Sequence, residues 1–319
     1  MANTYQVREE ELQSGLKQLV LEGEGQRVKI LPEMGSNLYS FQLDGQELLM
    51  EPEDITVKGV KYGIPILFPT PNRVRNGVFR YEGKEYPQLK RGEKRLIHGL
   101  VCDEAWSFGK EWAGPGEAKV NTWIESREGH PVYEAFPFRF LLEISYRLLS
   151  HKLVLEYRVE NRDRRAFPFG FALHPFFRLI DNRKDILIRV PASYVMEAHD
   201  CMPTGELIEV NNTPYDLREP RPLEELNLDD VYWKMDAGKT ASVKYLGWQK
   251  ELRLRASDDF SHMVVYTPKH RPCFCLENQT CSTDAHNLYD QGKKDVSGLM
   301  ILEAGQVHEG WVSFEIVYK

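Results

Sequence analysis

The chain has 319 residues, 42% of them hydrophobic, five cysteines and a formal net charge of −7. That length supports one large domain with a substantial core, and the mild acidity leaves no electrostatic footprint for nucleic acid or an anionic membrane. No apolar run is long enough to span a bilayer; the first residues, with Arg8, Glu9, Glu10 and Glu11, do not read as a signal peptide; and an odd cysteine count without framework spacing suggests reduced thiols and a cytoplasmic setting.

Along the chain the dominant period is two. Short alternating runs at 27–31 and Asn37–Leu43 read as strands, closed by an Asp44-Gly45 turn. Residues 63–77 break that pattern with Pro65, Pro69 and Pro71, and Asn76-Gly77 and Glu82-Gly83 mark further turns. Phe140, Leu142, Ile144, Tyr146 and Leu148 alternate with more polar neighbours. After Ser150-His151 so do Leu153, Leu155, Tyr157 and Val159, which predicts an antiparallel hairpin with one buried face. A turn is expected at Pro203-Thr204-Gly205 and a surface loop over 214–222. Strands are expected at 242–246, 251–255 and 262–267, and again through Val312, Phe314, Ile316 and Tyr318. No stretch combines caps with a helical apolar stripe. The expectation is an all-β, antiparallel fold of two packed sheets in a single domain over 1–319.

Four segments carry residues suited to chemistry. Asn72-Arg73 follows the proline-locked path; its planar guanidinium suits sugar hydroxyls or a carboxylate partner, and equally could brace a loop. His98 stands between Ile97 and Gly99 in an apolar setting, where a histidine is more often structural. His174 lies inside the aromatic run 169–177, where rings pack well on the C–H face of a pyranose and the imidazole can move protons. Glu277 ends the apolar run Cys273-Phe274-Cys275-Leu276; burial there raises a carboxyl pKa and makes a better general base, unless an arginine pairs with it. Asp229-Asp230-Val231-Tyr232 is weaker alone. There is no phosphate loop, no HExxH and no GxSxG elbow, and the cysteine and histidine spacings do not make a zinc motif.

In order and spacing, Asn72-Arg73, His98-Gly99, His174-Pro175-Phe176-Phe177, Asp229-Asp230-Val231-Tyr232 and Leu276-Glu277-Asn278-Gln279 resemble the motifs of the aldose 1-epimerase family. The resemblance implies a large antiparallel β-supersandwich, galactose mutarotase-like, with an open sugar cleft. It implies Glu277 as general base, His174 as general acid, His98 assisting at the ring oxygen, and Arg73, Asp229 and Asn72 on sugar hydroxyls. Asp229 is preferred to Asp230 because it keeps the spacing to Tyr232. Mutarotation opens a hemiacetal and closes it on the other face, so the expected set is a carboxylate and an imidazole on opposite sides of the ring, with no metal and no cofactor.

The substrate is expected to be a small sugar and the protein a monomer or weak dimer. Residues 63–69 look closer to the hexose-6-phosphate 1-epimerase branch, whereas Pro71-Asn72-Arg73-Val74 resembles the free-sugar branch. Arg75, Lys94, Arg95 and Arg178 are the candidate phosphate ligands, or ordinary surface charges. A non-catalytic carbohydrate-binding protein is the alternative from another class, and a glycoside hydrolase would need a second carboxylate, for which Asp229 is the candidate.

Overall fold

A computed structural model describes residues 5–55, 62–87, 97–236, 238 and 240–318, with Lys110 described by its backbone alone. Strands dominate, and every ladder between them is antiparallel. Alternation within the segments explains the layering. In Phe140–Leu149 and Lys152–Asn161 the even and odd apolar sets foreseen in sequence point inward and pair in register, with the turn at Ser150-His151.

That hairpin sits within a nine-stranded sheet. Its order runs Arg221–Pro222, Ile186–Arg189, Ala241–Tyr245, Lys250–Ala256, Val307–Tyr318, Lys152–Asn161, Phe140–Leu149, Glu117–Ser126, Ser107–Gly114. An eight-stranded sheet packs on it, in the order Met202–Glu209, Ala192–His199, Asp229–Met235, His262–Tyr266, Cys273–Gln279, Ala172–Leu173, Ile66–Leu67. Phe176–Arg178 also pairs with Cys273–Gln279. Gln6–Glu11, Lys17–Gly23, Gln26–Leu31, Asn37–Leu43 and Gln46–Glu47 make a five-stranded sheet beside them.

The sheets meet over one large buried cluster reaching from Tyr5 to Ile316. Phe177 joins the layers, with its ring centroid 5.6 Å from Phe274 and 6.3 Å from Phe314. Each such fully buried ring stabilises the fold by about 1.5–3 kcal/mol. The architecture is the expected β-supersandwich.

Two expectations need correction. Pro203-Thr204-Gly205 is not a turn: it lies inside Met202–Glu209, and the chain reverses at Asp200 and Cys201, both at positive φ. A proline is tolerated there because Met202–Glu209 is the edge strand of its sheet. Three short α-helices, Pro131–Ala135, Ala285–Asp290 and Lys294–Ser297, also escaped the periodicity reading, since four to six residues cannot display a helical stripe. Within 214–222, Arg221–Pro222 forms a short strand against Ile186–Arg189. Among the described residues no helix is long and apolar enough to cross a membrane.

Candidate active site

The site grows from the middle of the eight-stranded sheet. All seven residues of Cys273–Gln279 are buried. Phe274 and Leu276 turn toward the core shared with the larger sheet. Cys273, Cys275, Glu277 and Gln279 turn to the opposite face by the period of two. On one flank the partner strand is split. Ala172 pairs with Gln279 and Phe176 with Cys275, but Pro175 has no N–H to offer the ladder, so pairing lapses between them. His174 falls in that gap, directly across from Glu277 in the register, with its backbone N–H bonded to the Pro65 carbonyl at 3.1 Å. Side chains opposite one another in an antiparallel pair come close enough to touch, and here His174 Nε2 lies 3.2 Å from Glu277 Oε1.

The expectation of an acid and a base on opposite sides of a sugar is therefore replaced by a pair in direct contact. In the reaction that the motif resemblance implies, the C1 hydroxyl oxygen and the ring oxygen are bonded to the same carbon, so adjacent groups could serve both.

Both side chains are oriented. The Phe176 ring stacks on His174 at 4.2 Å with 11° between planes, and His98 meets the same imidazole edge-on at 4.9 Å. Gln279 Nε2 donates to Glu277 Oε2 at 3.0 Å. Burial pushes the Glu277 carboxyl well above its usual range. The Asp229 charge adds to that rise, while the Gln279 hydrogen bond and the Arg73 charge oppose it.

Asn72-Arg73 and His98-Gly99 reach the same place because their segments zip together. The His98 N–H bonds the Asn72 carbonyl at 2.7 Å, Arg73 bridges Ile97, and Leu100 N–H bonds the Phe68 carbonyl. The fit depends on Gly99, at φ 75°: a Cβ there would stand 2.4 Å from the Phe68 carbonyl oxygen. Asn72 and His98 also hold positive φ, at 57° and 71°, an uncommon conformation for non-glycine residues and one found where surrounding structure over-determines the backbone.

Arg73 and Asp229 form the other wall. Arg73 Nη1 donates to Asn72 Oδ1 at 3.0 Å, and Nη2 lies 3.6 Å from Asp229 Oδ2. Both side chains stay about one-third exposed, at 32% and 35%, which leaves donors and acceptors for a ligand. Asp229 opens its strand opposite Tyr266, which itself opposes Cys275, so it shares the face of Glu277. Cys201, at the tip of the neighbouring hairpin, donates from Sγ to Asp229 Oδ2 at 3.3 Å.

The six residues singled out in the sequence thus converge on one place. A scan of protein families matches residues 17–315 to the aldose 1-epimerase model. The chain belongs to the aldose 1-epimerase family. The protein YihR of Escherichia coli K12, described as uncharacterized, is 23% identical over 285 residues, 86% of this chain and 85% of YihR. Among solved structures, a galactose mutarotase-like protein from Clostridium acetobutylicum superposes with a TM-score of 0.88 at 20% identity, covering 99% of each chain. Galactose 1-epimerase from Lactobacillus acidophilus superposes with 0.79 at 17% identity, again over 99% of each. At these identities the likeness establishes the fold: galactose mutarotase-like.

Other residues close to these six were not singled out in sequence. Gln279 and Phe176 belonged to motifs already quoted, and the i+2 spacing from Glu277 and His174 is the signal that would have found them. Cys201 had no such signal, because it arrives from a hairpin whose turn was misplaced. Cys275 stands two residues before Glu277 on the same face. The ligand atoms of His174, Cys275 and Glu277 all lie within 4.8 Å of one another, a juxtaposition invisible to motif spacing.

Of the possible phosphate ligands, Arg75 is already engaged. Its Nε bonds the buried Asp284 carboxylate at 3.2 Å and its Nη2 the Pro203 carbonyl at 3.1 Å. Arg178 is exposed at the end of its strand, and Lys94 and Arg95 lie outside the described residues.

Proposed function

We propose that this protein is an aldose 1-epimerase that interconverts the α and β anomers of a free aldose. The observation that carries the reading is the His174–Glu277 contact, an oriented imidazole and a desolvated carboxyl facing the cleft with Arg73 and Asp229 beside them.

In this mechanism Arg73, Asn72 and Asp229 hold the sugar hydroxyls. Glu277 takes the proton of the C1 hydroxyl while His174 gives its Nε2 proton to the ring oxygen, helped by His98. The C1–ring oxygen bond breaks and a carbonyl forms at C1. The aldehyde turns about the C1–C2 bond and the ring hydroxyl attacks its other face. His174 then recovers a proton from that hydroxyl and Glu277 returns one to the C1 oxygen, so the enzyme ends as it began. Each positioned proton transfer contributes about 10²–10⁴-fold, and fixing both groups around one C1 adds an orientation gain. Proton balance closes without an outside group.

A free sugar is favoured over a 6-phosphate because the Arg75 guanidinium is already paired with the Asp284 carboxylate and bonded to the Pro203 carbonyl. None of the five cysteines forms a disulfide, in keeping with the reducing, cytoplasmic setting proposed for this protein. Saturation-transfer NMR on a panel of free and 6-phosphorylated aldoses tests the reading. Catalysed exchange between anomeric signals is expected for a free aldose; no exchange with any of them overturns the function, and preference for a phosphate overturns the substrate class.

A further inference from the structure

We propose that His174, Cys275 and Glu277 form an inhibitory site for a thiophilic divalent cation, zinc above all, that competes with the sugar. One His174 ring nitrogen, Cys275 Sγ and a Glu277 carboxylate oxygen lie within 4.8 Å of one another, and the residues are only 6%, 0% and 2% exposed. Tetrahedral zinc bonded to N, S and O at its usual lengths needs ligand atoms about 3.3–3.7 Å apart. The imidazole and carboxylate already stand at 3.2 Å. What remains is an approach of the thiol by up to about 1.1–1.5 Å, shared between a χ1 rotation of Cys275 and small movements of the other two side chains.

The surroundings resemble the supports that metal ligands ordinarily have. Stacking by Phe176 fixes the imidazole plane, and the Gln279 amide holds the far carboxylate oxygen, so Oε1 is presented toward His174. The three protein ligands leave a fourth position for water. A mixed nitrogen, sulfur and oxygen set selects zinc-like ions and discriminates against magnesium and calcium, which take oxygen. Binding releases to solvent the Cys275 thiol proton, the proton on the coordinating His174 nitrogen and any proton held by Glu277, and involves no change of oxidation state.

Inhibition rests on the proposed function, because two of the three ligands are the acid and base of that reaction and a coordinated cation occupies the electron pairs they use. Binding itself does not rest on it. The tests keep the two apart.

Metal-free full-length protein is titrated with zinc chloride by calorimetry, and anomer exchange is followed by NMR in parallel. The expected result is one zinc per chain, with exchange reduced at least about tenfold at stoichiometric zinc and restored by EDTA. Excess aldose should raise the zinc concentration needed, and magnesium at the same concentration should have no effect. Cys275→Ala should keep exchange without metal within about twofold of the parent while weakening zinc binding at least about tenfold, the scale on which metal sites respond to a lost contact. If the alanine variant does not fold, Cys275→Ser, which supplies a harder and weaker ligand, is read the same way. Absence of zinc binding by the parent chain, unchanged binding by the Cys275 variant, or zinc binding indifferent to sugar overturns the proposal. A chain that exchanges no aldose yet loses zinc affinity on Cys275 substitution keeps the metal site and overturns only the enzymatic reading.

Discussion

Two histidine–carboxylate pairs among the described residues have nearly equal lengths and behave in opposite ways. His174 and Glu277 lie 3.2 Å apart in the cleft, whereas His308 and Asp259 lie 3.1 Å apart beside the nine-stranded sheet. Burial pushes both carboxyls upward. At Asp259 hydrogen bonds from His308, Ser257 and Tyr157 outweigh it and hold the carboxyl below its ordinary value. At Glu277 the neutral Gln279 amide is the other side-chain donor among the described residues, Asp229 adds like charge, and the carboxyl stays high. A carboxylate saturated with donors is a brace. One deprived of them retains the basicity a proton transfer requires.

The sharpest way to break this contrast is to neutralise each acid. Glu277→Gln, like His174→Asn, is expected to lower anomer exchange by about 10³-fold or more, because each proton transfer alone is worth about 10²–10⁴; NMR exchange rates read it. Asp259→Asn should leave exchange nearly intact and lower thermal stability by about 2–3 kcal/mol, the scale of a lost charge-assisted hydrogen bond in a buried network, measured by denaturant unfolding. If the two variants trade phenotypes, the distinction is wrong.

Acidity sharpens it further. Asp259, depressed in the fold, contributes stability that is present above its unfolded pKa and is lost as pH falls below about 4. Glu277, raised in the fold, does the reverse: its contribution is full below its unfolded value near 4.3 and is lost as pH rises through the folded value. Stability curves of Glu277→Gln and the parent should therefore separate increasingly toward neutral pH, with the variant the more stable. In pH–rate profiles the acid limb should lie above the ordinary carboxylate range. Asp229→Asn should move that limb to lower pH, since it removes a charge that raises Glu277.

Backbone fit comes next in size. Gly99→Ala forces a Cβ against the Phe68 backbone at positive φ and is expected to cost about 1–3 kcal/mol, with loss of exchange when the His98 segment shifts. The smallest effect is expected at Cys201. Removing its hydrogen bond to Asp229 by Cys201→Ala should raise KM a few-fold, by about 0.5–1.5 kcal/mol, at unchanged kcat. Cys201→Ser, which keeps a donor, should restore most of it.

Much of the fold was legible because period two survives in the long strands. Phe140–Leu149, Lys152–Asn161 and Val307–Tyr318 lie where alternation put them. The hairpin tip was misread because Pro203 and Gly205 carry the stronger turn signature, while the observed turn places Asp200 and Cys201, both non-glycine, at positive φ. The six candidate residues could be picked out, but their mutual geometry could not. That His174 faces Glu277 follows from a register spanning distant segments, and that the pair touches follows from Pro175 interrupting the ladder. Likewise Arg75 looked available for phosphate until its partner Asp284, far along the chain, came into view.

The interrupted ladder has a consequence for how such a protein can diversify. The pair proposed to transfer protons is anchored in a sheet interior, whereas the groups proposed to meet sugar hydroxyls come from the 72–73 loop, a strand end and the hairpin tip leaning on it. Exchanging the Asp200–Pro203 corner for one of different length or polarity should therefore redirect which aldose is accepted while the turnover step runs unaltered beneath it.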